Sequence, residues 1–491
     1  MIKSLLILEM VLPILVGTTH LINNREKVVY SITAITSFLV FCIAIFLCIH
    51  TFHYHEIHYY FGGWLPPVGI EFKVTKLNSL FAVLISGVAT LTFFQSKKLL
   101  FEEVEAKKIP SFCGVFLICL SGFLGMVLTN DFFNLYVFIE ISALASYTLV
   151  SVSNNKESLK AAFAYLIIGT IAATFILIGI GYLYSASGTL NIDDFIKILP
   201  NIESSRSVYI GYYLIITGLL VKSGLFPLHT WFVQSYKSTS SFIVPFLTST
   251  SSKIYIFLVI KIIYFIFGIS FVFGKTNSHL VLSVMAVLSI FIGSIAAYAQ
   301  TNLRYMLIFS SLSQIGYMFV AISIGNKIAL VSALIFIIGN IFAKTSLFLL
   351  ASQIYLYRKS YTLENLYNIK MQLPIVVTLF IINAASIVGV PPTIGFVSKW
   401  YLMISLIQTN MWVILCLVLA SSFISIMYFW KFIENFLYSD VRTREVPKLD
   451  LDFSVRHRNY IIPCIVILTF LNLCCGIFFK TFFNFISGLI I

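Results

Sequence analysis

The amino-acid sequence predicts an all-α, polytopic membrane protein with about fourteen transmembrane helices. Three observations carry that prediction. Of 491 residues, 59% are hydrophobic and only 10% charged, against roughly 25% charged in soluble domains. Apolar runs of about 20 residues, the length that crosses a hydrocarbon core as a helix, recur from one end of the chain to the other. The 32 Lys and Arg residues are shared unevenly between alternate loops. A mean hydropathy of +0.98, with 47 Phe and 26 Tyr, suits lipid-facing surfaces and interfacial belts.

The predicted spans fall at roughly 4–22, 29–50, 77–95, 112–129, 131–152, 160–185, 208–234, 242–270, 279–300, 304–324, 328–352, 374–406, 411–436 and 459–488. The first has one early lysine, an internal Glu9 and no small-residue cleavage site, so it reads as an uncleaved span. An even number of spans puts both termini on one side. The loops and ends of that side hold eight Lys/Arg and the other side nineteen; the remaining five, Lys222, Lys253, Lys261, Lys344 and Lys399, lie inside spans. Positive charge stays cytoplasmic, so the termini are expected on the outer, periplasmic face of a bacterial cytoplasmic (inner) membrane. The Phe-, Ile- and Lys-rich composition suggests an AT-rich bacterial genome.

Topology therefore accounts for the net charge of +13, and no basic domain for nucleic acid is present. The eight cysteines all fall in predicted spans, with no CxxC pair and no Cys/His ligand spacing, which argues against a metal or cluster site. Glycines are scattered and form no phosphate-binding loop. No cofactor and no redox site are expected. The mixed-sign segment 431–458 reads as a solvated cytoplasmic connection with room for a short amphipathic helix.

Two spans are interrupted. Residues 218–236, GLLVKSGLFPLHTWFVQSY, place Lys222 in mid-run and Pro227 five residues later, followed by His229 and Trp231. Residues 385–403 carry Gly389, Pro391, Pro392 and Gly395, then Lys399. A proline breaks the helical ladder, which lipid tolerates only where protein or water re-satisfies the freed groups. Two broken, lysine-bearing spans in separate halves are the mark of inverted-repeat transporters. The expected organisation is helices 1–3 over 1–111, two inverted five-helix repeats over 112–270 and 279–436, and a loop with the last helix over 437–491.

Charged groups inside spans are costly and usually functional. Glu140 is the carboxylate in the middle of a span, and Lys222 is its candidate partner. The alternative for that pair is a static ion bridge, a poor stabiliser when buried. Lys253 follows the hydroxyl run Thr248–Ser252, which either holds a water file or bonds back to helix carbonyls. Lys261, nearer a span end, reads as a snorkelling side chain. Lys344 has Asn340 one turn earlier on the same face, a polar pair that either extends a hydrated path or joins helices.

These motifs resemble the antiporter-like membrane subunits shared by respiratory complex I and the multi-subunit Mrp cation/proton antiporters. The resemblance covers about residues 60–435. It rests on FGGWLPPVGIEF (61–72), FFNLYVFIEISALASY (132–147), KSGLFPLHTWF (222–232), YAQTNLRYMLIFSSLSQIGYM (298–318), FAKTSLFLLAS (342–352) and GVPPTIGFVSKW (389–400). It implies that Glu140 and Lys222 are an acid–lysine pair, Lys253 a bridging lysine and Lys399 a terminal lysine, along a hydrated midplane axis. Partners implied are other membrane subunits, protons and Na+. The FGGWLPPVGI element and the lysine at 399 look most like the D-type member of the Mrp antiporters, with the N-type member of complex I as the rival. The family's histidines stand here as Phe336 and Asn340, which motivates a reading of another class, a non-conducting structural subunit. A solute permease fits least, because the axis is a chain of single protonatable groups.

Overall fold

Each long apolar run forms a helix because a membrane-embedded backbone must satisfy its own hydrogen bonds. The structure, a computed structural model, describes residues 2–20, 25–153, 155–367, 369–437 and 451–490, with side chains left aside over 451–462. The helices of the first part are α1 (Ile2–His20), α2 (Glu26–His53), α3 (Lys76–Gln95), α4 (Lys97–Glu103), α5 (Ile109–Leu128), α6 (Phe132–Ser151), α7 (Lys156–Ser187), α8 (Ile192–Ile202), α9 (Arg206–Ser223), α10 (Thr230–Ser238) and α11 (Val244–Ile260). They are followed by α12 (Ser278–Ala299), α13 (Leu303–Ser323), α14 (Lys327–Arg358), α15 (Ile369–Gln372), α16 (Pro374–Val388), α17 (Ile394–Gln408), α18 (Trp412–Leu437), α19 (Leu451–Ile477) and α20 (Phe479–Gly488).

Among the described residues, eleven helices are each long and apolar enough to cross a membrane, and the bent pair α19–α20, turned by 90°, makes up to twelve. The two other expected spans, 208–234 and 374–406, are split into shorter pieces, α9 with α10 and α16 with α17. That is the outcome their prolines and glycines dictate. The greater part of the 431–458 connection, residues 438–450, lies outside the described residues.

Side-chain caps set several helix starts. Asp131 accepts the Asn134 N–H at 2.7 Å, Asn302 the Arg304 N–H at 3.0 Å, and Asn326 the Ala329 N–H at 2.7 Å, each satisfying an otherwise orphaned donor. One small sheet interrupts the helical pattern, an element that the apolar runs do not announce. Strands β1 (Ile57–Tyr60) and β2 (Glu71–Val74) pair antiparallel. They are anchored by the buried Glu71, whose Oε2 accepts Asn130 Nδ2 at 2.8 Å and Asn191 Nδ2 at 2.7 Å, while Oε1 meets His58 Nδ1 at 2.7 Å.

The chain forms two compact units. One comprises residues 1–94, 100–283 and 488–491, the other residues 95–99 and 284–487. The cut falls inside α12, beyond the 270/279 boundary that the loops suggest. The amphipathic α8 and the β-hairpin belong to the first unit; the break between α9 and α10 lies in the first unit and that between α16 and α17 in the second.

Candidate functional site

In the first unit α9 stops at Ser223 because Gly224 adopts a left-handed φ of 76°, a conformation natural to glycine. Pro227 follows, and α10 restarts at Thr230. The Trp231 indole Nε1–H donates to the Val221 carbonyl at 2.9 Å, which also accepts the Gly224 N–H at 3.1 Å, so the break is bridged from both sides. Lys222 is buried in the last turn of α9, walled by Tyr165, Gly169, Trp231 and Tyr255. Its ammonium lies 5.9 Å from the Tyr255 ring centroid. The space left there has no room for a water.

Glu140 is half-buried on α6. No Glu140–Lys222 ion pair within 4.0 Å is formed among the described residues, although Glu140 is the carboxylate in electrostatic reach of Lys222. The carboxylate sealed most completely is instead Glu9 on α1, fully buried, with neither oxygen partnered among the described residues. His229 is half-buried beside the break, its ring tilted against Phe226 with centroids 5.3 Å apart.

Lys253 is fully enclosed on α11. Its Nζ donates to the Thr248 carbonyl at 2.6 Å and approaches Ser252 Oγ at 3.3 Å. The hydroxyl run before it is largely occupied: Thr248 and Thr250 donate back to the Val244 and Phe246 carbonyls, each at 2.7 Å. Of the two readings of that run, back-bonding describes these threonines, and Ser249 Oγ is the hydroxyl of the run left unpartnered among the described residues.

In the second unit α16 ends at Val388 and Gly389 takes a φ of 91°. Pro391 and Pro392 occupy the break, and α17 resumes at Ile394. Here the lysine itself re-satisfies the freed backbone: Lys399 Nζ donates to the Val388 carbonyl at 2.7 Å and to Ser422 Oγ at 3.2 Å. It also sits 4.7 Å from the Tyr317 ring centroid, a cation–π distance. Gly395 lets the two half-helices touch, since a Cβ there would lie 1.7 Å from the Ser386 carbonyl oxygen.

Lys344 is fully buried on α14 and turns toward α13, donating to the Leu307 carbonyl at 3.0 Å and to the Ser310 hydroxyl. Asn340 faces elsewhere. It lines a cavity of about 10 Å³ with Gln314, Phe336, Ser398 and Lys399. Both Asn340 amide atoms and Gln314 Nε2 have no partner among the described residues. About 10–15 Å³ is what one water needs, so the amides and Lys399 frame a single-water site. Sequence reasoning passes over Gln314, although it lies within the 298–318 motif. Lys261, expected to snorkel, is half-buried near the end of its span and donates to the Thr129 carbonyl, at the C-terminal end of α5, at 3.0 Å.

The model of the transmembrane family described as NADH:quinone oxidoreductase/Mrp antiporter matches residues 129–425. The chain belongs to this family. Among its relatives, an N subunit of NADH-quinone oxidoreductase from Desulforudis audaxviator is 36% identical over 77% of this chain and 74% of its own length. A D subunit of a Na(+)/H(+) antiporter from Alkalihalophilus pseudofirmus is 25% identical over 89% of this chain and 87% of its own. Among solved structures, the archaeal membrane-bound sulfane sulfur reductase contains a chain that matches with a TM-score of 0.88 at 25% identity, over 99% of this chain and 97% of that one. The Mrp complex from Dietzia sp. has one at 0.86 and 20% identity, over 99% and 96%. This antiporter/oxidoreductase family places both broken spans and all five intramembrane lysines inside the matched region.

Proposed function

We propose that the chain is a proton- and cation-translocating membrane subunit that works among other membrane subunits of an antiporter or respiratory assembly. The observation that carries this reading is the placement of lysines at both helix breaks. Lys222 lies in the last turn before one break, and Lys399 follows the other and bonds its freed carbonyl. Among the described residues Lys222, Lys253, Lys261 and Lys399 form no ion pair within 4.0 Å; burying cations in this way is expensive, and transport is the use that justifies it. Protons pass from Lys222, under the influence of Glu140, to Lys253 in the first unit. In the second unit they pass from Lys344 through the Asn340 water site to Lys399. His229 flanks the first break as a further protonatable group, and the two five-helix blocks act as inverted repeats.

Within the family, the finer assignment is the role of the Mrp D-type member in Na+/H+ exchange, with the termini on the outer face of a bacterial inner membrane. The identity of 36% to an N-type relative favours a second reading, a proton-pumping subunit of an NADH-quinone oxidoreductase. Inverted vesicles from cells carrying the intact assembly separate the two. Acidification collapsed by added Na+ supports the antiporter; NADH-driven acidification lost with the subunit supports the oxidoreductase. Glu140→Gln and Lys222→Ala should each abolish proton flux while the assembly still purifies intact. Normal flux in either variant rejects translocation along this axis.

A further inference from the structure

The first unit contains a cavity of about 510 Å³ that the pathway above does not use. Lys73, Asp193 and Glu56 stand in its wall, Gly488–Ile490 border it, and Phe257 and Lys261 lie at the α11 side. Lys73 holds both carboxylates, with Nζ 3.0 Å from Asp193 Oδ2 and 3.4 Å from Glu56 Oε2. Lys261 uses one of its three ammonium donors on the Thr129 carbonyl. It begins a π-helical turn, Lys261–Ile266, that continues α11; π turns are rare and concentrate at functional sites. Lys253 lies eight residues deeper, about 12 Å along the helix at 1.5 Å per residue. Between the two, Phe257 stacks on Phe81 with ring centroids 4.1 Å apart, both rings being buried.

We propose that this cavity is an aqueous vestibule through which the first unit exchanges protons with the face bearing Gly488–Ile490, and that Lys261 carries them between the vestibule and Lys253. The stacked Phe81–Phe257 pair is the barrier that water must part to join the two lysines. The occupant is a proton and not a metal cation. Both nearby carboxylates are already engaged by Lys73, and the Lys261 ammonium at the inner wall repels Na+; once it has passed its proton toward Lys253, the amine left behind is reprotonated by hydronium from the vestibule. The proposal rests on the translocation reading, and it names the opening that reading lacks on this face.

A purely structural role for Lys261 would be to neutralise the C-terminal end of α5 at Thr129. Arginine preserves that charge and its donors but cannot release a proton at physiological pH. In the full assembly reconstituted into oriented vesicles, both Lys261→Gln and Lys261→Arg should lower proton flux about tenfold or more, with the Arg variant keeping wild-type thermal stability. Wild-type flux in Lys261→Arg overturns the relay. Independently, Ile266→Cys in a background with the native cysteines replaced should react with a membrane-impermeant methanethiosulfonate added from the Gly488–Ile490 face, and much more slowly from the other. No reaction from that face overturns the vestibule. A wild-type assembly that passes no protons overturns translocation and the relay together, while the labelling still decides the vestibule.

Discussion

The two broken helices solve one problem with different side chains. At each break a side chain bonds a valine carbonyl, Val221 in the first unit, which also accepts the Gly224 N–H at 3.1 Å, and Val388 in the second. Tryptophan closes the first, through Trp231 Nε1; lysine closes the second, through Lys399 Nζ. The first lysine is consequently not tied to its own break and sits among aromatic rings with no space for water. The second has a backbone partner, a hydroxyl, a ring face and a one-water cavity. One site leaves no room for water and the other leaves room for about one. On the translocation reading, a break bridged by tryptophan keeps its lysine apart from the backbone, whereas a break bridged by its own lysine would couple helix geometry to that lysine's protonation.

The sharpest test of that contrast compares Trp231→Phe with Lys399→Met. Lys399→Met removes the side-chain donor of the Val388 carbonyl, at a cost of about 1–3 kcal/mol, whereas Trp231→Phe leaves the Val221 carbonyl the Gly224 N–H at 3.1 Å, so the melting temperature in detergent should fall less for Trp231→Phe. Only Lys399→Met should also cut proton flux, by about a hundredfold. Equal flux loss in both would show that the carbonyls, not the lysine, matter.

Backbone fit comes next. Gly395→Ala drives a Cβ to within 1.7 Å of the Ser386 oxygen and should cost about 3 kcal/mol, the upper end for overpacking. At the first break, Gly224→Ala meets Phe232 at 3.3 Å and should cost about 1–2 kcal/mol from its left-handed backbone alone. Equal unfolding midpoints for the two variants would remove the difference in tightness between the breaks.

Smaller effects concern the one-water site and the rim. Asn340→Leu and Gln314→Leu delete unpaired amides, so each should leave stability unchanged or slightly higher, while proton flux falls roughly tenfold. Retained flux with either leucine would mean that the single water is not on the route. At the rim, burial pulls the Lys73 ammonium down, but its hydrogen bond to Asp193 and the charges of Asp193 and Glu56 outweigh that and hold it above its ordinary value. A raised lysine stabilises the fold fully below its unfolded value near 10.4, and the benefit fades as pH rises through the folded value. Lys73→Met should therefore lower thermal stability modestly at pH 7, by under about 1 kcal/mol, and by less near pH 11. A gap that widens with pH would reverse the assignment.

Much of this architecture was legible in the sequence. Both breaks were marked by Gly and Pro inside apolar runs, and Lys222, Lys253, Lys344 and Lys399 stood out because charge is rare there. The parts that escaped depend on partners distant in sequence. Lys261 was read as a span-end residue, but its acceptor, Thr129, is 132 positions away and no local pattern announces it. Gln314 looked like one more polar side chain in a serine-rich helix, since nothing local shows that Asn340 and Lys399 converge on it. The β-hairpin was visible only as a motif, because the buried Glu71 that pins it draws its ligands from Asn130 and Asn191 in other elements. Asn340 and Lys344 share a helix face one turn apart, yet α13 captures the lysine and leaves the amide to the cavity.

Lys253, Lys261, Lys344 and Lys399 all rest on main-chain carbonyls, of Thr248, Thr129, Leu307 and Val388. A lysine that gives up its proton from a salt bridge strands an anion in oil. One that gives it up from a carbonyl leaves only a neutral dipole behind. On the translocation reading, the berths of Lys253, Lys261 and Lys399, which form no ion pair among the described residues, can thus be emptied and refilled without creating a debt of opposite charge, in a medium where stranded ions are intolerable.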